Sequence, residues 1–266
     1  MTTDKIVLPL ALCGCLLAGP PVWPDPDWQQ HARPDDAGMS AAGVDNYFAW
    51  LRSRAGAEPY GTVIVRYGEI VCESYGSGAT AASRWEIGSI RKSVMSALLG
   101  MAIQEGKLAL DTPAYTVWPE IHRLTRADKD KRIQVRHLAT NTSGWMTEAG
   151  AGEAWLYNNA ACTAGGMVLG RVFGAPEDLV APVVMERVAS VIHARDWRAY
   201  HFEGKFSPGS HGNPGPKLAI DSNLRDLARY GYLWLREGEW NGRQVIPREY
   251  VLEAKRNQAA KLGGRY

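Results

Sequence analysis

Ser89 and Lys92 form the only Ser-x-x-Lys sequence in the chain. On a helix, side chains three positions apart are neighbours, with Cβ atoms about 5–6 Å apart. Serine is a weak nucleophile until a base takes its proton, and a lysine amine can be that base where desolvation favours its neutral form. At a helix start, unpaired N–H groups would also stabilise an oxyanion. The pair therefore predicts nucleophilic acyl transfer; the alternative is a helix with a surface serine and a solvated lysine.

Tyr157 and Asn159 form a second unique pattern, Tyr-x-Asn. A tyrosine beside a Ser–Lys pair can shuttle a proton to the leaving group. An asparagine amide two residues later can hydrogen-bond a substrate carbonyl. The alternative is a packed tyrosine followed by Asn159 as the N-cap of a helix over 160–170.

Hydrophobic periodicity and turn residues predict the elements that would position these side chains. Ser40 is predicted to cap the first helix, and Asp221 or Ser222 is predicted to cap a late helix. Tyr67-Gly68-Glu69 is predicted to connect the two strands. The predicted strands are 62–66 and 70–75. Three helices are predicted over 89–104, 176–190 and 222–236. A further helix is predicted to start at Ser40, and a last short helix is predicted to start at Pro247. This order predicts an α+β fold.

Two strands alone make a marginal sheet, because three or more are usually needed for independent stability. Either further strands lie within the irregular segment 191–221, or the chain stops before its sheet is complete. In the second case, we expect Ser89, Lys92 and Tyr157 to share a cleft that is open on one side.

Composition narrows the functional classes. The 266 residues carry 30 Lys and Arg against 28 Asp and Glu, a formal net charge of +2. This near-balance gives no electrostatic argument for nucleic acid or an anionic membrane as the main partner. The cysteines and histidines lack zinc-ligand spacing, and we expect no metal and no cofactor. Cys72 and Cys162 could pair in an exported protein, although isolated cysteines are more often small buried side chains.

The N-terminus predicts export. Residues 1–20 combine a short polar start, an apolar run from Ile6 to Gly19 and a Pro-Pro exit, which is typical of a secretory signal and too short for a membrane span. We expect a periplasmic or secreted protein. A lipoprotein cleavage site near Cys15 and an N-terminal helix packed on the domain are the alternatives. Residues 21–39 are rich in Pro and Asp and predict a linker, with the domain at 40–266.

Longer strings around these motifs resemble the class C-like branch of the β-lactamase and penicillin-binding protein superfamily, which includes DD-peptidases, esterases and 6-aminohexanoate-dimer hydrolases. The similar segments, all in the expected order, are Glu86 to Gly100, Gln104 to Asp111, Trp118 to Glu120, Ile133 to Trp145, Trp155 to Asn159 and Asp226 to Leu233. The resemblance implies a β-lactamase/transpeptidase-like fold, in which a helical region carries the active site beside an antiparallel sheet.

The same resemblance implies roles for the matching residues. Ser89 would be the acylated nucleophile, Lys92 its proton acceptor, Tyr157 a second acid/base and Asn159 a contact to the substrate carbonyl. The Ser89 N–H would be one oxyanion donor. The resemblance thus implies a serine hydrolase that acts on an ester, amide or β-lactam.

One family motif is missing. The family carries Lys or His, then Thr or Ser, then Gly, on a strand after the late helix, and that strand supplies the second oxyanion donor. No such triplet occurs in the chain, and the glycine-rich segment 207–215 precedes the late helix. The chain is therefore predicted to be C-terminally truncated. A non-catalytic penicillin-binding or sensor protein, or an inactive fragment of the same fold, is the alternative function.

Overall fold

The computed structural model describes residues 22–203 and 215–264. The predicted signal at 1–20 lies outside them, as does most of the glycine-rich segment, at 207–214. Helices α1–α9 are Ala41–Ala55, Arg91–Gln104, Ala114–Val117, Glu120–Arg123, Val135–Ala139, Asn159–Val172, Ala181–Val184, Leu224–Leu235 and Arg248–Ala254. Strands β1–β7 are Tyr60–Arg66, Glu69–Gly76, Trp85–Glu86, Arg198–Phe202, Lys217–Ser222, Glu239–Trp240 and Arg243–Gln244. The α+β prediction is confirmed.

The strands form three antiparallel sheets. β1 and β2 make the predicted hairpin, with Tyr67 and Gly68 in the left-handed backbone region of its turn. Two strands do lie within 191–221: β4 and β5 pair with each other, and β5 also pairs with the short β3. They therefore build a second sheet and leave the hairpin two-stranded among the described residues. Their pattern is hidden in the sequence because β5 is buried almost throughout and does not alternate.

α2 runs through the centre of the core and packs against α6, α9 and β5. Val94, Ala97, Leu98 and Ala102 on this helix are fully buried. Because α2 begins two residues after Ser89, this packing fixes the backbone that carries the predicted nucleophile and Lys92.

The late helix α8 starts one residue beyond its predicted caps. Asn223 is the N-cap, and its side-chain oxygen accepts from the Asp226 N–H at 2.8 Å. Asp221 and Ser222 belong instead to β5, opposite Glu86 and Trp85 of β3. The caps predicted at Asp221 and Ser222 were therefore wrong, because strand pairing takes both residues.

The segment predicted as a linker packs against the domain from Val22 onwards. The Arg229 guanidinium on α8 donates to the backbone oxygens of Pro24 and Pro26. The Trp23 ring lies 5.4 Å from the Tyr232 ring, centre to centre. Residues Val22 to Gln30 thus form a strap over α8 and the start of β2, because its tryptophans and backbone groups find partners there that composition does not reveal.

The helix predicted over 176–190 is broken. A 3-10 turn covers Pro176–Asp178, α7 follows, and a π-helical turn spans Met185–Ala189. Glu177 and Asp178 both have positive φ, which an α-helix excludes. Pro176 therefore opens a turn and not a long helix.

Two further expectations concern the membrane and the thiols. No helix among the described residues is long and apolar enough to cross a bilayer. Cys72 and Cys162 are both free thiols. The conceivable disulfide between them is absent in this structure.

Candidate active site

Ser89 lies at the junction of a strand and a helix. Gly88 has a φ of +56°, a conformation that favours glycine, and begins a 3-10 turn over Gly88–Ile90 that leads into α2. The first N–H groups of such a turn lack intrahelical acceptors. The Ser89 side chain is exposed to the cleft and its N–H is at this position, where an oxyanion could accept from it.

Three polar side chains meet at this junction. The hydroxyls of Ser89 and Tyr157 share a hydrogen bond of 2.6 Å. The Lys92 Nζ donates to the Ser89 Oγ at 3.1 Å and to the Tyr157 hydroxyl oxygen at 2.6 Å. The prediction that the three lie together is confirmed, although Tyr157 is 68 residues from Ser89.

The environment of Tyr157 favours its ionised form. Burial raises the pKa of the phenol, but the hydrogen bonds from Lys92 and Ser89 and the charge of Lys92 outweigh this, so the pKa is below its ordinary value. A phenolate held by an ammonium and touching a serine hydroxyl is a chemically competent base.

The loop that carries Tyr157 is held by two asparagines that the sequence analysis did not single out. The Asn158 Nδ2 donates to the Trp145 carbonyl at 2.7 Å, and its Oδ1 accepts from the Ala161 N–H at 3.1 Å. The Asn141 Oδ1 accepts from the Asn158 N–H at 3.2 Å. Trp145 is fully buried, so the loop is anchored to the core on both sides of Tyr157.

Asn159 is the first residue of α6 and not its cap, because Asn158 occupies the N-cap position. The alternative assignment of Asn159 as an N-cap was therefore wrong. Asn159 lines a small pocket that also receives Arg91 from α2 and His201 from β4. Sequence signals for Asn158 existed, since asparagine is a favoured N-cap and precedes a run of small helical residues.

The sheet β3–β5–β4 supplies one side of the cleft. The Ile87 N–H donates to the Ile220 carbonyl at 2.9 Å, which joins the residue two positions before Ser89 to β5. The expectation of a side left open is corrected to this extent: the strands Arg198–Phe202 and Lys217–Ser222 lie on this side, because β5 pairs with the residues that lead into the Ser89 turn.

A family model described as Beta-lactamase matches residues 44–262, more than four fifths of the chain. The chain belongs to this family. The match confirms the resemblance inferred from the sequence and spans the hairpin, the Ser89 turn, the Tyr157 loop and α8.

Solved structures support the same fold. A Bacteroides dorei protein described as a candidate beta-lactamase is 17% identical with a TM-score of 0.65, over 85% of this chain and 76% of that one. A candidate 6-aminohexanoate-dimer hydrolase from Bacillus anthracis is 18% identical with a TM-score of 0.60, and the match covers 77% of this chain and 61% of that one. At these identities the likeness establishes the β-lactamase/transpeptidase-like fold.

A curated relative, an uncharacterised protein of Alkalihalophilus pseudofirmus, is 24% identical over 189 residues. The match covers 63% of this chain and 53% of the relative. The chain thus spans about half the length of the curated relative it matches.

Proposed function

We propose that the protein is a serine hydrolase that forms an acyl-enzyme through Ser89 on an ester, amide or β-lactam. The observation that carries this proposal is the closed set of hydrogen bonds among the Ser89 hydroxyl, the Lys92 amine and the Tyr157 hydroxyl. Membership of the Beta-lactamase family and the hydrolase named among the structural neighbours support it.

In the first step, the Ser89 Oγ attacks the substrate carbonyl carbon while its proton passes to the Tyr157 oxygen. This proposal gives Tyr157 the role of proton acceptor that the resemblance implies for Lys92, because the Tyr157 oxygen hydrogen-bonds both the Ser89 hydroxyl and the Lys92 amine. The Lys92 ammonium is within 2.6 Å of that oxygen and stabilises the phenolate before transfer. The Ser89 N–H, at the start of the turn, donates to the oxyanion. When the tetrahedral intermediate collapses, the bond to the leaving group breaks, and the proton held by Tyr157 moves to that group.

In the second step, water attacks the acyl carbon and gives a proton to Tyr157. A new C–O bond forms, the bond to the Ser89 Oγ breaks, and the proton returns to that oxygen. The carboxylic acid leaves, and the three side chains regain their starting state. Asn159, at the edge of the cleft, would donate its amide to a carbonyl of the substrate.

A non-catalytic binding or sensor protein is the second candidate. Such a protein would keep the same fold and the contacts around Ser89, and it would bind a ligand without forming an acyl-enzyme.

Covalent labelling separates the two candidates. The purified chain is incubated with a fluorescent penicillin and with a fluorophosphonate, and in parallel with a panel of short esters and a chromogenic cephalosporin. A serine hydrolase labels with at least one probe and turns over at least one substrate. Reversible penicillin binding with no covalent adduct and no turnover would favour the binding protein.

A further inference from the structure

A small pocket lies between α2, α6 and β4, at the point where Asn159 begins α6. Four polar side chains from three elements line it: Arg91 of α2, Asn159 and Thr163 of α6, and His201 of β4. Its apolar lining includes Met95, Met167, Val180 and Leu218. The enclosed space has room for about one water-sized group, so a single small polar group of a ligand fits it.

Arg91 is the unusual member of this set. It is partly buried, and one of its terminal nitrogens donates to the Gly88 carbonyl at 2.8 Å. No carboxylate among the described residues lies within ion-pair distance of it, whereas the partly buried Arg187 and Arg225 pair with Glu105 and Glu73. A guanidinium has five N–H donors in a planar fork that suits a carboxylate, and most of them remain for a ligand at the pocket.

The surroundings of Arg91 are positively charged. Lys92 is the next residue and points to the Ser89 hydroxyl. On β5, burial lowers the pKa of Lys217, and the positive charges of Arg91 and Lys92 lower it further. An anion bound here would relieve the repulsion among these positive charges. Because the site is partly shielded from solvent, the attraction would be stronger than that of an ion pair on an exposed surface.

We propose that Arg91, together with Asn159 and His201, forms a subsite for a carboxylate on the substrate, and that the enzyme prefers acyl groups that end in one. The proposal rests on the proposed function for its catalytic consequence, although the subsite itself binds without chemistry. Arg91 would donate two parallel hydrogen bonds to the carboxylate, while Asn159 and His201 donate from the facing walls.

The first experiment compares two activated esters matched in acyl length, 4-nitrophenyl hemisuccinate and 4-nitrophenyl butyrate. We expect a higher kcat/KM for the anionic ester, decreasing with added salt, and a ratio between the two esters that falls about tenfold in Arg91→Gln, the size typical of a charged hydrogen bond. Arg54→Gln is the matched control, because it removes the same charge from the exposed face of α1. An Arg91→Gln variant that keeps the wild-type ratio would overturn the proposal.

The second experiment does not depend on activity. Ser89→Ala protein is titrated with monoethyl succinate and with diethyl succinate, and binding is followed by tryptophan fluorescence and by protein NMR. Tighter binding of the monoanion, lost when Arg91→Gln is added, supports the subsite even if the wild-type chain hydrolyses neither ester. Equal binding of both compounds, or an anion effect that Arg54→Gln removes equally well, contradicts it.

Discussion

Ser89 is the side chain on which the proposed chemistry depends. We expect Ser89→Ala to abolish covalent labelling by a fluorophosphonate, because Ser89 is the serine that hydrogen-bonds both Lys92 and Tyr157. Ser53→Ala is the control, since Ser53 is exposed on α1 and bonds only the Trp50 carbonyl of its own helix. Intact-protein mass spectrometry measures the adduct, and circular dichroism checks the fold. An adduct of undiminished yield on Ser89→Ala would remove this serine from the mechanism.

Tyr157 makes a separate prediction about pH. In the proposed mechanism the phenolate is the active form, and the pKa of Tyr157 is below the ordinary tyrosine value of about 10. Acylation should therefore fall as the pH drops through the lowered pKa. In Tyr157→Phe, kcat/KM should no longer fall in this way as the pH drops, and it should be about 10²–10⁴-fold lower than in the wild type. The measurement is kcat/KM against pH for a neutral ester. If kcat/KM of Tyr157→Phe still falls at low pH as in the wild type, the Ser89 proton passes directly to Lys92.

How far the site was predictable from sequence differs from residue to residue. Ser89 and Lys92 are one helical turn apart, so their spacing alone predicts contact. Tyr157 reaches them only because Asn141 and Asn158 fix its loop, and hydrogen bonds of that kind leave no periodic pattern. Arg91 has no sequence signal of its own, because only the fold shows which arginines lack a carboxylate.

The N-terminus of α6 carries a prediction about one element. Asn158→Ala should lower the free energy of unfolding by about 1 kcal/mol for the lost cap and by about 1 more for the lost bond to the Trp145 carbonyl. Asn158→Ser keeps a capping oxygen and loses only the amide donor, so its loss should be roughly half as large. Urea unfolding followed by fluorescence measures both. Equal losses would mean that the cap contributes nothing.

The hairpin is tied to α8 by an ion pair between Glu73 and Arg225, with an Nε–Oε2 distance of 3.0 Å. The hydrogen bond from Arg225 lowers the pKa of Glu73, and burial opposes it only in part. The stabilisation is therefore complete above the unfolded pKa of about 4.3 and is lost as the pH falls through the lower folded value.

We expect Glu73→Gln to cost at most about 1 kcal/mol of unfolding free energy at neutral pH, because the pair is partly exposed. The difference from the wild type should vanish once the pH falls below the lowered pKa of Glu73. Glu58→Gln, an exposed glutamate, is the control and should show neither effect. A difference that persists in acid would assign the loss to packing and not to charge.

At the level of elements, sequence patterns succeed where an element is half exposed. α1, α8 and the hairpin have an apolar face and a polar face, and their patterns place them within a few residues. β5 lacks this contrast because it is buried on both faces, and β3 is too short to have a pattern. The turn at Glu177 depends on backbone conformations that periodicity does not report.

For the whole molecule, the N-terminus gives a prediction of export. If residues 1 to about 20 are a signal, protein recovered from its native host should begin near Gly19 or Pro20. Mass spectrometry of the intact protein from the cell envelope and from the cytoplasm measures this. Recovery of cytoplasmic protein that still carries Met1 or Thr2 would contradict export.

The strap from Val22 to Gln30 also has a consequence for how the chain is made. Its anchor, Arg229 on α8, is 205 residues away from Pro24 along the sequence. The strap therefore leaves the ribosome long before α8, on which it packs, has been made. In the same way, Glu73 of the hairpin leaves the ribosome long before its ion-pair partner Arg225. An early segment that binds only a late one remains without its partner in the nascent polypeptide until the late segment has been made. Translocation channels that thread unfolded chains would have this whole interval in which to engage the protein.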